Sequence, residues 1–281
     1  MTVLVVGAAG QLGEAMTARL AAEHRVISLV RADLDLTRFT DVIKHFRSIN
    51  PDVVINCAGY NNVDQAQNDQ EAAMNANAFA VRALARAAAQ ANAMLVHYSS
   101  DFVFAGTATV PYTEADRPEP QSVYAQSKLL GEWMAADAPQ HYVLRVESLF
   151  GGPKRRSSID RIADAVRSGA VAPVFVDRVV SPSFVNDVVD ATRHLLRTRP
   201  AFGTYHCVNS GHATWLDVGR EIAKLLGKSE QSLKPVHVKD VSLPAPRPQY
   251  AALSNARLAA TGFVMPTWQD AIARYLQGTA A

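Results

Sequence analysis

An apolar run that ends in a glycine-rich loop constrains most strongly how this chain can fold. Residues 3–6 are all aliphatic, and Gly7, Gly10 and Gly13 follow before residues 12–23 take up the apolar spacing of a helix. In a strand–turn–helix unit the first glycine permits the turn, the second lets the backbone approach a pyrophosphate, and the third lets helix and strand pack closely. The amino end of the helix also favours an anion. We therefore predict a dinucleotide site that includes these glycines with Gln11 and Leu12, in preference to a glycine turn without a ligand.

Strands and helices alternate along the first half of the chain at the spacing of a parallel sheet. Apolar or β-branched runs predict further strands at residues 25–30, 53–56, 94–99 and 142–146. Helical spacing of apolar residues predicts helices at residues 37–49, 71–91 and 124–135. Strands joined by helices in this order imply right-handed crossovers. The predicted fold class is therefore α/β, a doubly wound parallel sheet of the Rossmann type.

The regular alternation weakens after Gly151-Gly152-Pro153. Helical spacing recurs near residues 159–168, 186–196, 216–226 and 268–276, separated by short strand-like runs. The proline-rich residues 244–248 cannot form regular structure and are expected to be a positioned loop. We predict that residues 1–150 form an NAD(P)-binding domain and that residues 151–281 form a smaller mixed α/β lobe for the substrate, partly interleaved with the first.

The composition allows a large core and argues against several classes of protein. Of 281 residues, 48% are hydrophobic and 19% are charged, with a net charge of +2, so neither disorder nor nucleic-acid binding is expected. The longest basic run, residues 154–156, is predicted to be a solvated loop. No apolar stretch approaches the roughly 20 residues of a membrane span, and the first apolar run is too short for a signal peptide. We expect a cytoplasmic protein.

The cysteines point neither to a disulfide framework nor to a metal centre. The chain has two, Cys57 and Cys207, and both lie in apolar, strand-like surroundings. We expect buried thiols. No cluster of metal ligands is visible elsewhere in the sequence, so no metal is predicted.

The end of the second predicted strand indicates which dinucleotide is bound. Residues 29–31 read Leu-Val-Arg, without the acidic residue that takes the ribose hydroxyls of NAD. The missing carboxylate and Arg31 favour the 2′-phosphate of NADP, with NAD as the alternative. Asp35 and Leu36 are expected at the edge of the adenine. Small residues follow the third strand and allow a close approach of the cofactor: Cys57, Ala58 and Gly59.

Tyr124 and Lys128 are separated by one turn of a predicted helix and share one of its faces. A neighbouring ammonium favours the phenolate and is expected to lower the tyrosine pKa from about 10. Tyr124 is therefore a candidate general acid/base, and Lys128 can also hold a ribose hydroxyl. Ser100 follows the fourth strand, at the edge of the sheet where doubly wound folds bind ligands. Its hydroxyl can bind a substrate carbonyl oxygen, which favours a catalytic set over a surface Tyr–Lys pair.

These motifs resemble the dTDP-4-dehydrorhamnose reductase family of extended short-chain dehydrogenases/reductases. The resemblance runs nearly end to end. Besides the passages above, it is carried by residues 63–66 (Val-Asp-Gln-Ala), Asn77, residues 98–104 and 123–132, Arg145, residues 210–211 and 214–215, and residues 247–248.

The resemblance implies a reaction and a set of site residues. NADPH or NADH would reduce C4 of a nucleotide-linked 4-keto-6-deoxyhexose, with Tyr124 as proton donor, Lys128 as its partner and Ser100 in the place of the family's threonine. General-acid catalysis of this kind contributes about 10²–10⁴-fold. The resemblance places Asn77, Tyr124 and Lys128 at the cofactor. The residues that it places at the sugar nucleotide are Ser100, Asp101, Phe102, Leu149 and Arg247.

The sugar-reading positions depart from the family's pattern. Where the family usually reads Thr-Asp-Tyr, residues 100–102 read Ser-Asp-Phe, which keeps the hydroxyl. Where it commonly reads Arg-x-Ser-Trp-Val-Tyr, with the tryptophan packing on the sugar, residues 145–150 read Arg-Val-Glu-Ser-Leu-Phe. Leu149 lacks a stacking face, and Glu147 adds a charge. The family's Arg-Pro-x-x-Ser becomes Arg-Pro-Gln-Tyr-Ala at residues 247–251, where Arg247 can grip a pyrophosphate or cap a helix end.

Two other functions stay open on the sequence. The changes approach the NADP-binding regulatory (beta) subunit of methionine adenosyltransferase, which resembles this family over the same length. The other alternative is a different nucleotide-sugar epimerase or reductase. A simple binding module has no need of Tyr124 and Lys128 together. The sequence names neither the sugar nor the nucleotide, and it leaves the oligomeric state open, with a homodimer as one option.

Overall fold

The structure, a computed structural model, describes residues 1–278, which build a six-stranded central sheet and a smaller lobe beside it. The strands are β1 (Thr2–Val6), β2 (Arg25–Leu29), β3 (Val53–Asn56), β4 (Met94–Ser100), β5 (His141–Val146), β6 (Leu149–Phe150), β7 (Ala172–Phe175), β8 (Val179–Val180), β9 (Ser183–Phe184), β10 (Gly203–His206), β11 (Ala213–Thr214) and β12 (Leu233–Val236). The helices are α1 (Gln11–Leu20), α2 (Phe39–Ile49), α3 (Val63–Ala66), α4 (Gln70–Met74), α5 (Ala80–Gln90), α6 (Val123–Ala135), α7 (Ser158–Ser168), α8 (Val185–Thr198), α9 (Trp215–Leu225), α10 (Ala256–Ala259) and α11 (Trp268–Gly278).

The central sheet has the strand order β10-β5-β4-β3-β1-β2, and all neighbouring strands in it are parallel. Successive side chains of β1 point to opposite faces. Val3 and Val5 pack in a layer with α1 and α8, whereas Leu4 and Val6 pack in a layer with α2 and α5. A strand buried on both faces needs a continuous aliphatic run, which explains residues 3–6. The predicted doubly wound parallel sheet is confirmed.

The strand order reverses at β1. The chain passes from β1 to β2 on one side of it and then returns to β3 on the other side. In doubly wound sheets, ligands bind in the crevice outside the carboxyl ends of the strands at such a reversal. The glycine loop leaves β1 at this point, and the sheet therefore offers a ligand site there.

Residues after Gly152 build a second apolar cluster beside the sheet. Helices α7, α9 and α11 surround side chains such as Phe150, Ile159 and Ile272. Three short strand pairs flank them: β6–β9, β7–β12 and β8–β11. The same part of the chain also returns to the central sheet, where β10 pairs with β5 and α8 packs in the same layer as α1. The domain division at residue 150 stays a prediction.

The alanine-rich stretch predicted as one helix over residues 71–91 is interrupted. A π-helical turn, Asn75–Phe79, separates α4 from α5. Single π turns within helices are frequent at functional sites. This turn contains Asn77, whose side chain is buried. Apolar spacing did not predict the turn, because one widened turn leaves the helical pattern on either side unchanged.

Candidate active site

A cleft of about 560 Å³ opens at the carboxyl edge of the sheet, between the sheet and the second lobe. It brings together most of the site residues predicted from the sequence: Gly10, Gln11, Leu12, Cys57, Ala58, Ser100, Asp101, Phe102, Tyr124, Lys128, Leu149 and Arg247. Gly7, Gly13, Arg31, Asp35, Leu36, Gly59 and Asn77 do not line it.

The three positions of the loop require or favour glycine for different physical reasons. Gly7 has φ +75°, and a Cβ there would lie 2.5 Å from the backbone nitrogen of Ala58. A Cβ on Gly13 would lie 2.3 Å from the carbonyl oxygen of Gly7. Both glycines are therefore required by the fold. A Cβ on Gly10 would meet only the Gly7 oxygen, at 3.2 Å, and Gly10 faces the cleft. Packing of the fold therefore requires glycine less strictly at position 10 than at positions 7 and 13. A glycine there is consistent with a ligand that lies close to the backbone.

Polar groups around the loop fit a bound dinucleotide. Among residues 1–278, the Gln11 Nε2 and Ser99 Oγ atoms are buried without a hydrogen-bond partner, and both residues line the cleft. Buried polar atoms in proteins are nearly always hydrogen-bonded. At the start of α1, Gly10 offers no side-chain cap, so main-chain N–H groups stay free to meet an anion. These donors fit the pyrophosphate and the amide of a nicotinamide dinucleotide.

Arg31, Asp35 and Leu36 lie just beyond the end of β2, which pairs with β1 and so flanks the glycine loop. The Asp35 carboxylate accepts hydrogen bonds from the backbone nitrogen of Thr37 (3.0 Å) and from its hydroxyl (2.7 Å). These bonds hold the pKa of Asp35 below its usual value. The Arg31 side chain is 87% exposed, with Nη2 at 3.9 Å from Asp35 Oδ2. Leu36 packs against the apolar layer of α2 and α5. Contact of these residues with a cofactor stays a prediction.

Asn77 and Gly59 lie behind the cleft. The Asn77 side chain accepts a hydrogen bond from the Tyr60 nitrogen (2.8 Å) and donates to the Tyr60 carbonyl oxygen (3.0 Å). It also donates to Ser127 Oγ on α6 (2.9 Å). A Cβ on Gly59 would lie 3.0 Å from the Asn77 amide oxygen. Asn77 therefore fixes the loop after β3 against α6. All three of these hydrogen bonds join its side-chain amide to other groups of the protein.

Ser100, Tyr124 and Lys128 meet at the floor of the cleft. Helix α6 begins immediately before Tyr124 because the side chain of Ser122 accepts a hydrogen bond from the Ala125 nitrogen at 3.2 Å. Lys128 Nζ donates to the carbonyl oxygen of Tyr98 on β4, at 2.5 Å. Both side chains of the predicted helix face thus point to the end of β4, where Ser100 lies.

The expected effect of Lys128 on Tyr124 is wrong in this structure. Burial raises the pKa of the Tyr124 phenol well above its usual value, and the nearby Asp101 carboxylate raises it further, while the Ser100 hydroxyl opposes the shift. Burial also lowers the pKa of Lys128 to about 8. Burial outweighs any effect of the Lys128 ammonium, which donates to the Tyr98 carbonyl oxygen and not to the phenol. Tyr124 is therefore held as the protonated phenol, which is the form that a general acid requires.

The sugar-side positions need one correction. Counted residue by residue from Arg145, the family's tryptophan falls on Ser148, and Leu149 stands at the following valine. The lost stacking ring therefore belongs to Ser148. Ser148 has φ +45° and lines the cleft together with Leu149.

Arg247 contacts an acidic side chain and does not cap a helix end. Its Nη1 atom lies 2.8 Å from Asp64 Oδ1 and donates to the Ala245 carbonyl oxygen at 2.7 Å, while Nη2 donates to Asp64 Oδ2 at 2.9 Å. The Ala245 nitrogen donates to the same carboxylate at 3.2 Å. Asp64 thus ties the proline-rich loop to α3, and Arg247 is held at the cleft by this contact.

Several residues of the cleft were not predicted from the sequence. Arg161, Arg178 and Trp215 line its second-lobe wall, and no motif spacing connects them. The basic residues 154–156 were predicted to be a solvated loop. They do lie in a loop, with Lys154 and Arg156 exposed; in addition, Arg156 lines the cleft and Lys154 Nζ donates to the Ala9 carbonyl oxygen in the glycine loop. The basic run was visible in the sequence, but nothing in the sequence indicated which part of the fold it would contact.

The described part of the chain offers no metal centre and no membrane span. Within residues 1–278, three or more His, Cys, Asp or Glu side chains nowhere gather in a way that could hold a metal ion. No helix in the same part of the chain combines the length and the apolar character needed to cross a bilayer.

The strand order, the glycine loop and the Ser100, Tyr124, Lys128 set define an extended short-chain dehydrogenase/reductase, a class of NAD(P)-dependent oxidoreductases. Solved structures agree. A dTDP-4-dehydrorhamnose reductase from Clostridium acetobutylicum superimposes with a TM-score of 0.95 at 31% identity, covering 100% of both chains. One from Bacillus anthracis, in complex with NADP, gives 0.93 at 28% identity over 99% of both chains. A UDP-glucose 4-epimerase from Thermus thermophilus, at 0.84 and 21% identity, shares the fold.

The sequence comparisons identify the family. The model of the family described as the RmlD substrate binding domain matches residues 1–280, and the chain belongs to this family. A Streptomyces antibioticus protein named "Probable dTDP-4,6-dihydroxy-2-methyloxan-3-one 4-ketoreductase" is 35% identical over 273 residues, which cover 96% of this chain and 92% of that protein. A dTDP-4-dehydrorhamnose reductase from Mycolicibacterium smegmatis is 31% identical, over 96% of this chain and 83% of that protein. The resemblance predicted from the sequence is confirmed.

Proposed function

We propose that this protein is an NADPH-dependent reductase that converts the 4-keto group of a nucleotide-linked 6-deoxy sugar to a hydroxyl. One observation carries the proposal. The glycine loop and the Ser100, Tyr124, Lys128 set line the same cleft, so a cofactor and a carbonyl substrate can meet there. Relatives whose names include dTDP-4-dehydrorhamnose reductase and a dTDP-sugar 4-ketoreductase support the same reaction.

The cofactor would be held by main-chain groups of the glycine loop and by two side chains at the cleft. Gln11 Nε2 offers a free donor beside the loop, and Lys128 Nζ offers a donor to a ribose hydroxyl. The missing acid after β2 and the exposed Arg31 favour the 2′-phosphate of NADP, as does the NADP in the Bacillus anthracis relative. NADPH, when bound, supplies the hydride that reduces C4 of the sugar.

Tyr124 is the general acid of the proposed reaction. Its phenol is held protonated by burial, and it lies beside Ser100 at the end of β4. The Ser100 hydroxyl orients the substrate carbonyl oxygen, and Tyr124 protonates this oxygen as charge develops on it. Lys128, which donates to the Tyr98 carbonyl oxygen, would also donate a hydrogen bond to a ribose hydroxyl of the cofactor.

The nucleotide diphosphate of the substrate would meet the arginines of the second-lobe wall. Arg161, Arg178 and Arg247 line the same cleft as the catalytic residues, and Arg178 lies over the Phe102 ring on its floor. Guanidinium groups bind phosphate oxygens in pairs of parallel hydrogen bonds. Asp101 and Phe102 continue the floor from Ser100. The intact Ser100, Tyr124 and Lys128 set favours this reductase over the regulatory alternative, which has no need of a proton donor.

The test is turnover of a defined 4-keto sugar nucleotide. Purified protein should oxidise NADPH, followed by its absorbance, when given dTDP-4-keto-6-deoxy-L-mannose. Tyr124→Phe should lower kcat by about 10²–10⁴-fold and leave NADPH binding nearly unchanged, because only the proton donor is lost. Tyr205→Phe is the matched control, since this hydroxyl bonds the Ala201 carbonyl on the far edge of the sheet. Tight NADP binding without turnover of any 4-keto sugar nucleotide would contradict the reductase and favour the regulatory function.

A further inference from the structure

Two carboxyl groups are buried beneath the floor of the cleft. Asp101 is 3% exposed and Glu147 is 2% exposed. Among residues 1–278, Asp101 Oδ2 and Glu147 Oε1 are buried side-chain oxygens that lack a hydrogen-bond partner. Leaving such an atom unpaired costs about 1–3 kcal/mol, and more when it is charged. Two ionised carboxylates cannot satisfy each other, because each only accepts hydrogen bonds.

The other oxygen of each carboxyl group is fixed by a hydrogen bond. Ser100 Oγ donates to Asp101 Oδ1 at 2.8 Å, and the Ser181 nitrogen donates to Glu147 Oε2 at 2.6 Å. These bonds anchor both side chains. They leave one unpaired oxygen on each, and the two residues are neighbours: Asp101 and Glu147 directly follow Ser100 and Val146, which are paired in register on β4 and β5. A single proton placed between the two groups would satisfy both unpaired oxygens.

The charges around the pair also favour one retained proton. Arg178 is the cation that faces both carboxyl groups; its Nε donates to the Pro248 carbonyl oxygen at 3.2 Å. The other titratable groups near the cluster are Tyr124 beside Asp101, Tyr250 beside Glu147, and Arg247 beside Arg178. Neutral phenols add no charge. With one guanidinium between two carboxyl groups, burial of the cluster is least costly when one carboxyl group is neutral.

The surroundings favour the retained proton on Glu147, because Asp101 lines the cleft and accepts the Ser100 hydroxyl, whereas Glu147 does not reach the cleft. Burial raises the pKa of Asp101 to about 6, although the hydrogen bond from Ser100 and the charge of Arg178 both lower it. Burial, and then the charge of Asp101, hold the pKa of Glu147 well above its usual value. Asp101 therefore ionises first as the pH rises, and Glu147 keeps its proton to higher pH.

We propose that Glu147 and Asp101 share one proton and that this proton restores the Tyr124 phenol after each reduction. The proposal rests on the proposed function. When Tyr124 has given its proton to the sugar oxygen, the Ser100 hydroxyl proton passes to the phenolate. Asp101, protonated by Glu147, then donates a proton to Ser100 Oγ. One proton has moved from Glu147 to Tyr124, and the pair, now with both carboxyl groups ionised, regains a proton from solvent through Asp101, which lines the cleft. Tyr124 is the catalytic residue, and Glu147 is a positioning residue that acts through Asp101.

Glu147 makes this arrangement a property of this chain. The family commonly has serine at that position, which cannot hold a proton in this way. The carboxyl group enters the floor from the turn between β5 and β6, where Ser148 takes φ +45°. Glu147 therefore lies under the cleft without lining it.

The shared proton is tested without turnover. Infrared spectra of the full-length protein at neutral pH should show the carbonyl stretch of a protonated carboxyl group. Glu147→Gln should abolish this band. Glu114→Gln is the matched control and should retain it, because the Glu114 carboxylate also accepts a main-chain N–H, from His206, but lies outside the cleft. A wild-type spectrum without the band, or a band that survives Glu147→Gln, would overturn the shared proton.

The return of the proton is tested by the pH dependence of kcat for NADPH oxidation with dTDP-4-keto-6-deoxy-L-mannose. Glu147→Gln should lower kcat by about tenfold at neutral pH, less than the loss of a general acid, with KM unchanged. Its alkaline limb should move towards about pH 6, the pKa of Asp101. Glu147→Asp, which restores a titratable carboxyl group, should recover part of the rate. A Glu147→Gln profile parallel to that of the wild type would overturn the relay. Absence of turnover in a wild-type protein that shows the band would contradict the proposed function and the relay, and leave the shared proton standing.

Discussion

The side of the cleft proposed to hold the cofactor and the side proposed to hold the sugar differ in what forms them, main-chain atoms on the first and side chains on the second. Main-chain atoms of the glycine loop and the ends of β1 and β3 form the cofactor side. A Cβ on Gly7 or Gly13 would collide there with backbone at 2.5 or 2.3 Å. Side chains form most of the sugar side, and they come from separate segments that include Arg161, Arg178 and Arg247. Sterics therefore preserve the first side, while the second accepts a wider choice of side chains.

This difference explains where the chain departs from its family. The glycine loop keeps all three glycines, whereas Glu147 and Ser148 replace the family's common serine and tryptophan. A new side chain on the sugar wall changes what binds. A new side chain in the loop would change whether β1 and α1 can pack at all. Selection for a different sugar can therefore act on one side of the cleft while the cofactor side stays constant.

Gly13→Ala tests the steric part of this comparison and should have the largest effect. The added methyl group would lie 2.3 Å from the Gly7 carbonyl oxygen, so β1 and α1 must separate. We expect the free energy of unfolding to fall by about 1–3 kcal/mol and NADPH binding to be lost. Denaturant unfolding and calorimetric titration measure the two effects.

Gly10→Ala is the matched control for that experiment. Its methyl group would meet only the Gly7 oxygen, at 3.2 Å, so the fold should lose much less stability than in Gly13→Ala. NADPH binding should still weaken, because the methyl group points towards the cleft. Equal losses of stability in the two variants would contradict the division between a glycine kept for the fold and one kept for the ligand.

Arg247→Ala tests the side-chain half. The guanidinium is held at the cleft by Asp64, with contacts of 2.8 and 2.9 Å. If it binds the substrate diphosphate, its removal should cost about 1.5–3 kcal/mol, which corresponds to an increase of KM for the sugar nucleotide of about ten- to a hundredfold. The affinity for NADPH should not change. Asp64→Asn should raise the same KM less, and the double variant should show non-additive losses. An equal loss of NADPH affinity in Arg247→Ala would indicate that this arginine contacts the cofactor and not only the sugar nucleotide.

Arg31→Ala should have a smaller effect, confined to the choice of cofactor. The side chain is 87% exposed, so its contact with a 2′-phosphate is screened by water. We expect NADPH affinity to fall by about fivefold and NADH affinity to stay constant. Equal losses for the two cofactors would refute a role in reading the 2′-phosphate.

A further effect, outside this ranking, concerns the pH dependence of stability at Lys128, which lies between the two halves. Burial lowers the pKa of Lys128 from its usual 10.5 to about 8, so the unfolded chain binds more protons between these two pH values. Stability rises with pH wherever the unfolded state binds more protons. The unliganded protein should therefore gain stability between pH 8 and 10.5 relative to Lys128→Met. Thermal melts across this range measure the difference, and parallel curves for the two proteins would contradict it.

The main-chain half of the site could be predicted from the sequence to a large extent. Residues 3–6 and the three glycines predicted β1, the turn and the start of α1, because burial and sterics restrict these positions to few residue types. Tyr124 and Lys128 could be placed on one helix face because helical geometry is regular. The π turn at Asn75–Phe79 could not be predicted, since it interrupts the helix without changing the apolar spacing around it.

The side-chain half was predicted less well, for a physical reason. Arg161, Arg178 and Trp215 come together only through the packing of the second lobe, and no local spacing records that contact. The pKa of Tyr124 was predicted in the wrong direction, because the helix face showed Lys128 nearby but not the burial of the phenol or the Tyr98 carbonyl that binds the ammonium. The desolvation of a side chain depends on the whole fold, so a short sequence motif does not predict it.

The return of β10 to the central sheet has a consequence for how the protein can open and close. β10 forms the outermost strand beside β5, so the chain of the second lobe is woven into the sheet of the first. A fragment ended at residue 150 would leave β5 as an uncovered edge, prone to pair with other chains. In the intact chain, the sheet leads into the second lobe twice, after β5 and again after β10, so any movement of that lobe relative to the sheet must bend both connections. Residues 151–157 belong to the first connection, where Lys154 donates to the Ala9 carbonyl oxygen of the glycine loop.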